Sequence, residues 1–171
     1  MEAVHPKALK SVQVITDIDN AQVIVNPMFY SLGGTRLRAI LRDGEKVVVQ
    51  KTITASESTP LILPVKKAKL WSPESPFLYD LDYEVLDEQG NVVDQVHSYV
   101  GMRKIHAEGN RLYLNNEPYY LRMVLDQGYY PESQWTAPSD SALKNDILLS
   151  KAIGFNGARL HQKVFEERFH Y

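Results

Sequence analysis

No cysteine occurs in the chain. Disulfides and thiolate metal sites are therefore excluded, although the absence does not choose a compartment, because many secreted domains also lack cysteine. Long hydrophobic runs are missing too: no window approaches the ~20 apolar residues of a membrane-spanning helix. Nor is charge of one sign in excess. A formal net charge of -2 over 171 residues creates no global field toward nucleic acid or anionic membrane, so neither is expected as a partner. The opening, Met1-Glu2 and then His5-Pro6, has no basic segment leading into an apolar run and does not read as a signal peptide; localisation stays open. A Gly-rich phosphate loop, a nucleophile-elbow serine and H-x-x-x-H spacing among the histidines are all absent. No cofactor or metal is expected.

What is present is ordinary in amount and ordered in pattern. Hydrophobic residues at 44% and charged residues at 23% suit a globular protein holding one large domain, or one domain and part of another. Residues 9–16 (LKSVQVIT) alternate and are β-branched, as a half-buried strand should be. Residues 21–26 continue as a second strand that Pro27 is expected to end. Residues 35–41 place Arg36 and Arg38 on one face and Leu37 and Ala39 on the other. Asp43-Gly44 is the best hairpin signal in the chain, with residues 46–54 returning. Two prolines make residues 60–65 an edge or irregular strand, and residues 69–79 (KLWSPESPFLY) a fixed loop with Trp71 and Tyr79 expected in the core. Residues 81–86 and 92–100 are strands around the turn at 87–91. Short strands at this spacing, without helical period, predict an immunoglobulin-like β-sandwich over residues 1–105.

From residue 106 the pattern changes. Residues 111–114 and 119–123 flank Asn115-Asn116-Glu117-Pro118 and read as a hairpin; Asn and Pro there are explained by turn geometry. A short apolar run, 121–125, ends at Asp126, and a Gly/Pro/aromatic loop follows. Ser139 is a good N-cap, Asp140 suits the first turn, and Gly154 stands where a left-handed residue stops a helix. Ala142, Leu143, Ile147, Leu149 and Ile153 share a broad arc, interrupted by Asp146, which is expected to be held by backbone or a basic group. Residues 155–161 then form a strand. Strand, loop, helix and strand make a βαβ unit, the building block of parallel sheets and barrels.

Three stretches in order, LWSPESPFLYDL at 70–81, VGMRKI…GNRLYLNNEPYYLRMV at 100–124 and ALKNDILLSKAIGFNGARLH at 142–161, resemble glycoside hydrolase family 2, which holds β-galactosidases, β-glucuronidases and β-mannosidases. The resemblance implies a jelly roll before this chain, the sandwich within it, and a (β/α)8 barrel of which residues 106–171 supply about two strands and one helix. The fold expected is thus mainly β, an immunoglobulin-like sandwich followed by an incomplete barrel. The implied activity is retaining hydrolysis of β-linked O-glycosides, with an acid/base and a nucleophile glutamate ~5 Å apart. Both would come from later barrel strands, beyond Tyr171. The chain is accordingly expected to be a fragment, inactive alone. Its expected partners are a carbohydrate substrate, the remaining barrel and the jelly roll of the same polypeptide. Self-association through open barrel edges is a further expectation. A competing reading is a non-catalytic immunoglobulin-like carbohydrate-binding or interaction module; a longer reading frame with a second Asn-Glu at a strand end would decide for the enzyme.

The resemblance also singles out residues. Asn116-Glu117 matches the family's Asn-Glu pair by letter only, being the turn just described. Arg159, at a strand end, corresponds to an arginine whose charge supports the nucleophile carboxylate; its alternative is a structural ion pair with Asp126 or Asp146. His161 is two residues on, so an intact strand would put both on one face. It stands one position earlier than the family's usual Arg-x-x-His-Tyr-Pro, which leaves a substrate contact and a structural histidine both open. Asp126, where Gly-Val-Asn-x-His is usual, is a sugar-hydroxyl contact or a structural hydrogen-bonding group. Tyr129, Tyr130 and Trp135 either form a platform for a sugar ring or pack their loop down.

Overall fold

The computed structural model describes residues 4–171, so the reading of Met1-Glu2 lies outside the described residues. The chain divides into two compact units, one running to residue 106 with 113–117, the other 107–112 with 118–171. The first unit contains strands β1 (Leu9–Asp17), β2 (Gln22–Phe29), β3 (Arg36–Asp43), β4 (Lys46–Thr54), β5 (Leu61–Pro64), β6 (Tyr79–Leu86) and β7 (Val92–Val100). They form two antiparallel sheets, ordered β1-β2-β5 and β4-β3-β6-β7. The inner faces interleave as a β-sandwich, because alternation delivers an apolar residue to the same side at every second position. Leu37, Ala39 and Leu41 from β3, Leu81 from β6, Val23 and Val25 from β2, and Leu61 and Leu63 from β5 are all 0% exposed and belong to one core. The other face of β3 carries its charge: Arg38 meets Glu84 at 2.7 Å and Arg42 meets Asp82 at 3.2 Å.

Two details, at Pro27 and Trp71, differ from expectation, whereas Tyr79 is in the core as expected. Strand β2 runs through Pro27 to Phe29, with Pro27 in register with Val12. The amide of Tyr30 donates to Ala8, so alternation turns the Pro27 nitrogen to the β5 side, where pairing has stopped at Val25. A missing N–H costs no ladder bond there. Tyr79 is buried at 3% exposure, its hydroxyl accepting from the Lys69 amide at 2.7 Å. Trp71 is only half-buried, and the Arg103 guanidinium lies 4.4 Å over its ring, so it is a rim residue rather than core.

A meander of β8 (Ile105–Glu108), β9 (Arg111–Leu114) and β10 (Glu117–Pro118) comes next, in the order β10-β9-β8. Its return strand begins earlier than predicted, at Glu117. Asn115 and Asn116 both adopt left-handed backbone, φ 54 and 69, and close the turn in two residues. Asn115 is further fixed by accepting the Lys104 amide at 3.0 Å and donating to the Trp71 carbonyl at 2.9 Å. The Asn116-Glu117 pair is therefore turn and exposed strand.

The second unit holds β11 (Met123–Asp126), α1 (Asp140–Ala152), β12 (Gly157–Leu160) and a short α2 (Glu167–His170). Strands β11 and β12 pair in parallel, joined through α1. Ser139 caps α1, its hydroxyl accepting from the Ala142 amide at 3.2 Å. At the other end Gly154, φ 97, lets the Gly154 and Phe155 amides turn back to the carbonyls of Lys151 and Ser150. Of the expected apolar arc only Leu143 is buried; Ile147, Leu149 and Ile153 are exposed. Among the described residues no helix is long and apolar enough to cross a membrane.

Candidate functional site

Parallel pairing brings the C-terminal ends of β11 and β12 to one place. The register is Leu125 beside Arg159 and Asp126 beside Leu160. Side chains alternate across a strand, so Arg159 and Asp126 project from opposite faces. Arg159 shares its face with Met123 and Leu125, which are 43% and 53% exposed. Strand β12 stops at Leu160, shorter than the predicted 155–161, and Gln162 has φ 58. The alternation that would carry His161 to the face of Arg159 thus ends one residue short. His161 is held otherwise: its backbone amide donates to the Asp126 carbonyl at 2.8 Å, and its Nδ1 lies 3.2 Å from the Gln127 side-chain Nε2. The same Gln127 nitrogen donates to Gln162 at 3.1 Å.

Asp126 turns its carboxylate back to accept the Gly128 amide at 2.7 Å. Gly128 has φ 64, and a Cβ there would stand 2.8 Å from the Lys163 Nζ and 2.9 Å from the Phe165 ring. Lys163 pins the loop by donating to the carbonyls of Gly128 at 3.0 Å and Trp135 at 2.6 Å. The sequence leads one to expect backbone or a basic group to hold Asp146; among the described residues the Tyr130 hydroxyl holds it instead, donating at 2.8 Å. Burial, and then that carboxylate, push the Tyr130 hydroxyl above its ordinary pKa, so it stays a donor at all physiological pH. With Asp126 and Asp146 engaged in this way, Arg159 forms no salt bridge with either among the described residues.

The predicted residues thus split. Asp126 and His161 meet through backbone at one strand end, while Arg159 stands exposed on the other face. Sequence reasoning missed Lys163 and Gln127 as the groups that fasten the loop to the strand ends. The signals were that Leu125-Asp126-Gln127 and His161-Gln162-Lys163 both depart from the usual family wording. The cluster offers amide, imidazole and carboxylate groups suited to hydroxyl partners, without an acid/base pair of its own. Among the described residues no group of three or more His, Cys, Asp or Glu could hold a metal ion.

Residues 8–103 match the family described as Glycosyl hydrolases family 2, which is more than half of the 171 residues. The chain belongs to that family. A relative, the β-galactosidase of Pseudoalteromonas haloplanktis, is 34% identical over 97 residues, covering 57% of this chain and 9% of the relative. The β-glucuronidase of Paenibacillus borealis is 29% identical over 120 residues, 67% of this chain and 19% of the relative. Among solved structures, the β-glucuronidase of Ruminococcus gnavus in complex with D-glucuronic acid superposes with TM-score 0.81 at 22% identity, over 96% of this chain and 28% of that one. This likeness shows the family-2 fold, mainly β. The chain spans between 9% and 19% of the length of the two relatives by sequence.

Proposed function

We propose that this chain serves a retaining β-glycosidase, with residues 1–105 as an immunoglobulin-like sandwich and residues 106–171 as the opening of a (β/α)8 barrel. The substrate is a β-linked carbohydrate. The observation that carries the reading is the parallel β11–α1–β12 unit following a family-2 sandwich. In barrels of this kind chemistry is assembled at the C-terminal ends of the strands, where Asp126 and His161 stand. Arg159 faces the side that a closed barrel encloses, and its guanidinium supports the ionised nucleophile by charge. His161, oriented by Gln127, contributes a hydroxyl contact at the rim. Asp126 fastens Gly128 through one oxygen and offers the other to the sugar.

The two glutamates of double displacement, one donating and later accepting a proton, the other forming the glycosyl bond, are supplied by other barrel strands. The remaining barrel and a jelly roll of the same polypeptide are the intramolecular partners. The test compares this chain with a polypeptide extended through a whole barrel, on a panel of nitrophenyl β-glycosides. The extended protein hydrolyses one of them with retained anomeric configuration, and this chain hydrolyses none. Turnover by this chain that survives stringent purification would sink the reading. In the extended enzyme Arg159→Ala lowers kcat by about a hundredfold or more, the scale on which fixed charges act at such sites.

A further inference from the structure

Residues 127–138 are loop, yet the backbone is held at many points. Gly128 is tied at its amide by Asp126 and at its carbonyl by Lys163. Tyr130 and Gln134 exchange amide-to-carbonyl bonds at 2.9 and 2.8 Å. The Tyr130 ring is anchored on Asp146, and the Trp135 carbonyl on Lys163. A loop fastened this closely has every chance to bury its apolar groups. Tyr129 and Trp135 nevertheless stay outside, 59% and 54% exposed, with ring centroids 5.4 Å apart at 70°. The pair sits next to the anchors rather than on a free tip, so the rings are presented, not packed down.

We propose that Tyr129 and Trp135 form an aromatic binding face for a pyranose ring of a β-linked oligosaccharide. One face of such a ring carries C–H groups and is apolar, while its rim carries hydroxyls. Two aromatic rings meeting edge to face make a corner that covers the C–H face of one sugar and leaves the hydroxyls to polar neighbours. Polar groups belong to the same loop: Gln127 opens it, and His161 and Gln162 are bonded to the Gln127 side chain. Because Gly128, Tyr130 and Gln134 already hold the backbone, little loop entropy is lost on binding. The choice of a carbohydrate rests on the glycosidase reading above; the presented aromatic corner does not.

The chain has two tryptophans, and Trp71, beneath Arg103 in the other unit, is an internal reference. Indole N–H signals are followed by NMR while cellobiose or lactose is added, with sorbitol as an open-chain polyol bearing hydroxyls but no ring face. The Trp135 signal shifts with either disaccharide and not with sorbitol, and Trp71 does not move. Tyr129→Ala, an exposed change checked for fold by circular dichroism, raises the midpoint about tenfold, the scale of one aromatic contact. An unmoved Trp135, equal shifts of both indoles, an equal response to sorbitol, or a midpoint unchanged in Tyr129→Ala would each overturn the inference. These outcomes leave the glycosidase reading standing on turnover by the extended enzyme. Conversely, sugar binding at Trp135 in an extended protein without turnover would keep the aromatic face and remove that reading.

Discussion

Asp82 lies between Arg42 and His97, accepting from the Arg42 Nε at 3.2 Å and standing 2.7 Å from the His97 Nδ1. Partial burial alone would raise its pKa, but the bonds from His97 and Arg42 outweigh that and hold it below the ordinary value. A carboxylate with a depressed folded pKa adds stability that is present above its unfolded pKa and lost as pH falls through the folded one. Acid unfolding below about pH 4 therefore draws on Asp82, and Asp82→Asn should show a shallower loss of stability over that range. Urea titrations at several pH values measure it; parallel curves for both proteins would contradict the assignment. Ser139 is the other residue with a simple role, since its hydroxyl satisfies the Ala142 amide at the start of α1. Ser139→Ala should cost about 1 kcal/mol of the stability of the helix-bearing unit.

At the scale of elements, β3 and β6 are the centre of the larger sheet, each paired on both sides. Leu37 lies in register with Val85 and is fully enclosed. Leu37→Ala removes buried methyl groups where two sheets meet and should destabilise the sandwich by about 2–5 kcal/mol, read as a lower Tm. The helix α1 is the opposite case. Its capping is complete, yet Leu148, Leu149 and Ile153 are 54%, 58% and 76% exposed. Cap chemistry is local and satisfied within a few residues, whereas an apolar arc needs another element to cover it.

At the scale of the whole molecule the two units differ in core. Among the described residues the second buries only Ala137, Leu143 and Phe165 of its hydrophobic side chains, whereas the first holds the large contiguous cluster. Local opening follows buried apolar contacts, so amides of β11, β12 and α1 should exchange with solvent at least about a hundredfold faster than those of β3 and β6. Equal protection would show that the second unit is sustained by contacts of comparable strength. Exposed Met123, Leu125, Leu149 and Ile153 also lead us to expect association that rises with concentration, measured by size exclusion at several loadings. A monomer at every loading would exclude it.

The periods and turns were legible because they are local. Alternation at Leu37, Ala39 and Leu41, the Asp43-Gly44 turn, the Ser139 cap and the Gly154 stop each depend on residues a few positions apart, and each is found where the letters put it. Pro27 inside β2, the half-buried Trp71 and the short β12 were not legible, since pairing partners distant in sequence decide them. For the site, the sequence by itself determined which residues reach the strand ends: Asp126, Arg159 and His161. Only the tertiary structure decided that Arg159 and Asp126 turn to opposite faces, that Gln127 orients His161, and that Lys163 holds out Tyr129 and Trp135. A residue's place along a strand follows from chain order, but its neighbours follow from register and from hydrogen bonds across more than thirty positions.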